Sequence, residues 1–61
     1  MRTNIFDRAN RLIGWTVEDG NQIRIFNRTG QFLGWYDKKT DLTHNRNAFF
    51  GRGNQVVRLL N

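Results

Sequence analysis

Apolar and polar residues alternate along this chain in short runs of period two, with little of the three-to-four spacing of a helix. The runs predict strands over about residues 3–7, 11–18, 22–27, 31–37, 41–44, 48–52 and 55–60. Six glycines and eight asparagines punctuate them every seven to ten residues, and proline is absent. Simple alternation puts Ile13, Trp15 and Val17 on one face, with Leu33 and Trp35 repeating it and Ile23 and Ile25 joining it. Leu12, Phe32 and Phe49 fall on the other face, each two residues before a glycine: Gly14, Gly34 and Gly51. A glycine inside a strand marks a bend or a close approach of another group. Apolar residues on both faces call for a two-layer β structure or a sheet covered by another subunit.

The same pattern occurs more than once. "IFDRANRLIGW" (5–15) returns as "IFNRTGQFLGW" (25–35), and a degenerate copy follows in "LTHNRNAFFGR" (42–52). Asp7-Arg8-Ala9-Asn10 and Asn27-Arg28-Thr29-Gly30 have the chemistry of a type I turn, Asp or Asn first and a positive-φ residue late. The third copy offers His44-Asn45-Arg46-Asn47. Asp19-Gly20 and Gly53-Asn54 are two-residue hairpin signals, and 37–40 makes a looser connection. The expected fold is a single all-β domain over residues 1–61, short antiparallel strands in repeated hairpins forming a meander.

Length and composition narrow the picture. A chain of 61 residues buries only about 60% of the surface its unfolded form exposes. Small domains offset this with disulfides, a metal or a partner. Cysteine is absent and His44 is the single histidine, so disulfides, thiolate sites and a multi-histidine metal site within one chain are excluded and no cofactor is expected. Self-association remains as the staple. No apolar run approaches the ~18 residues of a membrane helix, and there is no charged-then-apolar leader. The expected location is cytoplasmic.

The pattern turn-x-[Leu/Phe]-[Ile/Leu/Phe]-Gly-aromatic, ending in "GNQVVRLL", resembles small bacterial and phage proteins of the four-fold beta-flower type. The likeness runs over residues 5–60, with Arg52 in place of the aromatic in the third copy. It implies a propeller-like or barrel-like homo-oligomer, a tetramer, built from four copies around one axis. It implies no activity and carries over no catalytic residue.

Catalysis finds few residues. Serine and cysteine are both missing, so the commonest nucleophiles are absent. His44 is the one near-neutral base, with Asp41 three residues before it. The chain is read as non-enzymatic. Anion binding has more support. Eight arginines and two lysines stand against five acids, a net charge of +5. Guanidinium forms planar, bidentate bonds to phosphate. Arg8 and Arg28 hold one slot in successive turns, with Arg46 close to it in the third, and Lys38-Lys39 add charge in another turn. These five are the candidate phosphate contacts, against the plainer reading of solvated loop tips.

Arg24 and Arg58 lie inside predicted strands among apolar neighbours and need a partner, a ligand phosphate or an intersubunit acid such as Glu18 or Asp19. Trp15, Trp35 and the five phenylalanines are read first as core or interface, and Tyr36, opposite in direction to Trp35, as the best stacking candidate. The candidate ligand-binding set is therefore Arg24, Tyr36, His44, Arg52 and Arg58. Four copies at +5 each carry +20, which suits capture of an anionic, nucleotide-like ligand at a hub, a phage-type sponge for a host nucleotide signal. The alternatives are a sequence-tolerant nucleic-acid-binding module and a protein-interaction or inhibitory subunit.

Overall fold

The computed structural model describes residues 1–60. The protein is all-β: six antiparallel strands in the order β1-β2-β3-β4-β5-β6 form one meander sheet. They are β1 (Arg2–Phe6), β2 (Leu12–Asp19), β3 (Gln22–Asn27), β4 (Phe32–Asp37), β5 (Leu42–Asn45) and β6 (Phe49–Arg52). Each lies within a residue or so of its expected span.

The seventh expected strand, 55–60, is instead a 3-10 helix, Val56–Leu60. Its β-branched residues read as strand, but a seventh strand on the edge would leave one face of the sheet bare. Gly53, at φ 75°, turns the chain off β6, and its N–H donates to the Asp41 carbonyl at 2.8 Å. Gly53-Asn54 is thus the step onto that face and not a hairpin turn. The Thr43 hydroxyl fixes this step: it donates to the Gly53 carbonyl at 2.6 Å and accepts the Gln55 N–H at 3.0 Å. Asn54 Oδ1 accepts the Val56 N–H at 3.3 Å, as an N-cap does.

The three hairpins β1–β2, β3–β4 and β5–β6 share one construction. Asp7 Oδ1 accepts the Ala9 and Arg11 N–H groups, Asn27 Oδ1 those of Thr29 and Gln31, and Asn45 Oδ1 those of Asn47 and Ala48. A short acceptor side chain that bonds its own backbone is what such a turn needs. The third turn therefore opens on Asn45 and not on His44, and it is one residue shorter. Thr43-His44-Asn45 stand where Ile5-Phe6-Asp7 and Ile25-Phe26-Asn27 stand in the other two.

Each hairpin also carries a bulge at the same place. Phe6 pairs with Leu12 but Ile5 with Gly14; Phe26 pairs with Phe32 but Ile25 with Gly34; His44 pairs with Phe49 but Thr43 with Gly51. Ile13, Leu33 and Phe50 are the extra residues. One extra residue reverses the facing of everything beyond it. Leu12 and Phe32 consequently share a face with Trp15 and Trp35, contrary to simple alternation. Ile23 and Ile25 pair with Glu18 and Thr16, on the opposite face from Trp15.

The 3-10 helix lies over β3 and β4 on the glycine side. Ile25 (0% exposed), Thr43 (0%) and Val56 (3%) are buried there. The helix comes close because the sheet beneath it is glycine. A Cβ on Gly14 would fall on the Phe26 carbonyl and 2.8 Å from Leu60 Cδ2; one on Gly34 would fall on the His44 carbonyl and 2.7 Å from Leu59 Cδ1.

Candidate functional site

The face away from the helix carries a line of rings. Trp15 stacks with Phe26 (centroids 5.9 Å apart), Phe26 meets Phe32 at 5.7 Å, Phe32 stacks with Trp35 at 6.3 Å, Trp35 with His44 at 4.8 Å, and His44 meets Phe49 edge-on at 6.2 Å. Six rings from five strands form one continuous row across the sheet. By register Phe6 stands on the same face, 51% exposed, and Phe49 at the other end is 56% exposed. Trp15, Phe26, Phe32, Trp35 and His44 are half-buried, mainly by one another and by the sheet.

Cations border this row. The Arg2 guanidinium lies 4.2 Å from the centre of the Trp15 ring, a cation–π contact. Arg24 pairs with Trp35 across β3 and β4, and its Nη2 reaches Asp19 Oδ2 at 3.4 Å. That acid had been expected to come from another subunit; the pair lies within one chain. Arg52 stands opposite Leu42 at the lower end of β6.

The two ends of the sheet differ in charge. Glu18, Asp19, Asp37 and Asp41 sit at the end formed by the β2–β3 and β4–β5 turns, while among the described residues the other end has Asp7 alone as an acidic side chain. At that end Arg8, Arg28 and Arg46 each follow the acceptor residue of a turn, and all three are exposed. Arg11 is there too, bonded through Nε to Asp7 Oδ2 at 3.1 Å. Each hairpin thus repeats ring, acceptor, arginine: Phe6-Asp7-Arg8, Phe26-Asn27-Arg28, His44-Asn45-Arg46. Neighbouring units lie two strands apart, about 10 Å.

The ten candidate residues therefore separate into four groups. Arg24, His44 and Arg52 share the ring face. Arg8, Arg28 and Arg46 form a rim at one end of the sheet, where Arg28 also borders a depression on the helix side. Lys38 and Lys39 are at the far, acidic end and do not extend that rim; Lys38 is bonded to Glu18, whose carboxyl it holds below the usual 4.5 by hydrogen bond and charge. Tyr36 and Arg58 are on the helix side. The Tyr36 hydroxyl donates to Asp41 Oδ1 at 2.6 Å, a bond that raises its pKa above 10.0. Arg58 donates to Gln55 Oε1 at 2.8 Å, 6.0 Å from the Phe50 ring. Since Asp41 is bonded to Tyr36, His44 gains no orienting carboxylate from it.

Phe26, Phe32 and Phe49, expected in the core or an interface, also stand on this face, and so does Arg2. The bulge moved Phe32 and Phe49, and its one signal in the sequence was the repeated glycine two residues past Leu12, Phe32 and Phe49; Phe26 is on this face because it pairs with Trp15 across β2 and β3. On the helix side lie two open depressions. One of about 420 Å³ is lined by Thr3, Ile5, Thr16, Ile23, Val56 and Val57 among others; the second, about 280 Å³, by Ile13, Arg28 and Leu60 among others. Among the described residues no cluster of three His, Cys, Asp or Glu side chains could hold a metal, and no helix is long and apolar enough to cross a membrane. Comparison of the chain with protein-family models, with curated proteins and with solved structures finds no match.

Proposed function

We propose that this is a non-catalytic binding protein for a base-bearing anion, a nucleotide-like ligand taken on the ring face. The observation that carries the reading is the row of six rings on the face the helix leaves open, bordered by Arg2, Arg24 and Arg52. A base has a π-face that stacks on such rings, and its phosphate finds guanidinium nearby. Capture without chemistry would make the protein a sponge for such a ligand. Both tryptophans of the chain, Trp15 and Trp35, lie in the row and report on it. Saturable quenching of their fluorescence by a nucleoside monophosphate, with none by pyrophosphate, is the expected result. Absence of any response to the nucleotide would sink the reading.

A second reading, self-association, is favoured by the size of the core. Ile25 and Val56 are the only buried hydrophobic residues among those described. β1 and β6 each leave one edge unpaired, and edges of this kind pair with other chains. Joining β6 of one copy to β1 of the next would generate a ring, such as the tetramer that the beta-flower resemblance implies, and would leave the ring face free. Native mass spectrometry would count the copies, and a monomer would end this reading.

A further inference from the structure

We infer that the ligand is a single-stranded nucleic acid, lying across the strands with its bases against the ring row and its phosphates along the Arg8–Arg28–Arg46 rim. This rests on the binding reading above and deepens it. Two independent regularities support a polymer over a free nucleotide. The first is extent. The rings do not converge on a pocket; they continue from β2 to β6, over about 20 Å at strand spacing. A mononucleotide would use a fraction of that length.

The second is repetition. Phe6, Phe26 and His44 each stand two residues before an exposed arginine, in three hairpins with the bulge at the same place and the same kind of acceptor side chain opening the turn. A ligand that repeats base and phosphate matches a surface that repeats ring and guanidinium. The charge is placed accordingly: the acids other than Asp7 are gathered at the far end of the sheet, so a polyanion at the arginine rim meets little repulsion. Duplex DNA turns its bases inward and offers no π-face to the row, so the surface selects single strands.

The test is fluorescence anisotropy of a labelled oligothymidylate of about 12 nucleotides, with unlabelled thymidine monophosphate, a duplex of equal length and a protein partner search by self-association as comparisons. The expected result is saturable binding to the oligomer, much weaker displacement by the monophosphate, and weak binding to the duplex. Log K should fall linearly with log salt at about 0.7 per phosphate neutralised. Arg8→Ala/Arg28→Ala/Arg46→Ala should lower that slope by about 2, and Phe49→Ala should weaken binding about tenfold. All four positions are exposed, so circular dichroism should show an intact fold.

Thymidine monophosphate binding as tightly as the oligomer would overturn the polymer and leave the nucleotide reading standing. Equal duplex binding, indifferent to Phe49→Ala, would overturn stacking on the rings. No binding of oligomer or nucleotide, with the tryptophans protected from an aqueous quencher in an oligomer, would remove both readings and give the ring face to a second copy.

Discussion

On one side of this sheet the strands present Gly14, Gly34 and Thr43; on the other, one residue along, they present Trp15, Trp35 and His44. The first side is minimal because a second layer rests on it, with Leu59 and Leu60 against the glycines and Val56 in the core. The second side carries the bulk of the chain's aromatic mass, and none of the described residues forms a second layer over it. In a chain of this size the usual economy would bury the largest side chains, since aromatics remove the most surface from water per residue. Here the buried set is Ile25, Thr43 and Val56, and the rings are left half-exposed. The buried residues thus lie on the helix side and the proposed binding surface on the ring side, and substitutions should separate the two.

The largest effect is expected beneath the helix. Gly34→Ala drives a methyl into the His44 carbonyl, which cannot withdraw without parting the strands, and against the Leu59 side chain, which must shift. A loss of about 3 kcal/mol is expected, read by urea unfolding. Gly51→Ala sharpens the point. Its Cβ would meet the end of the flexible Gln55 side chain, at 2.6 Å, so the cost should be about 1 kcal/mol, chiefly the Gln55 bonds to Arg52 and Arg58. Equal costs would mean that the helix does not rest on Gly34.

Next comes Thr43→Val, which keeps the shape and deletes the hydroxyl. It leaves the Gly53 carbonyl and Gln55 N–H without their partner in a part-buried place, a cost of about 2 kcal/mol. Hydrogen exchange should show the 3-10 helix opening first. Uniform loss of protection would place the anchor elsewhere.

Much of this was legible in the sequence. Period-two runs, Asx turns and the repeat gave six strands and their order. What was not legible came from two causes. A bulge adds one residue without altering composition, and Phe32 and Phe49 changed faces on that account. "VVRLL" carries strand propensity, and only the bare glycine face, a tertiary fact, made it a 3-10 helix. Among candidate residues, the shared turn position of Arg8, Arg28 and Arg46 was readable because they repeat in step with the turns. Tyr36 and Arg58 stand apart from the ring face, on the helix side, and nothing in the sequence shows that Asp41 and Gln55 engage them there.

On the ring side the expected pattern reverses. Phe49→Ala, at a 56%-exposed edge position, should shift the unfolding midpoint little while weakening ligand binding about tenfold. A stability loss as large as that of Gly34→Ala, found in the isolated monomer, would erase the division between the faces.

The smallest effects are those of pH, and they lie off the ring face. Glu18 is held below 4.5 in the fold by Lys38, so its contribution is fully present above pH 4.5 and is lost as pH falls through the lowered value. Tyr36 is held above 10.0 by Asp41, so its contribution is present below pH 10.0 and is lost as pH rises through the raised value. Both pairs are exposed, and exposed ion pairs add little to stability. The readout is therefore the titration itself: Lys38→Ala should return Glu18 toward 4.5 by carboxyl NMR, and Asp41→Asn should return Tyr36 toward 10.0 by ultraviolet absorbance. Neither variant should change the affinity of the ring face. A change would show that the acidic end of the sheet reaches the ligand after all, and that the separation of rim from rim is less complete than the positions of the charges imply.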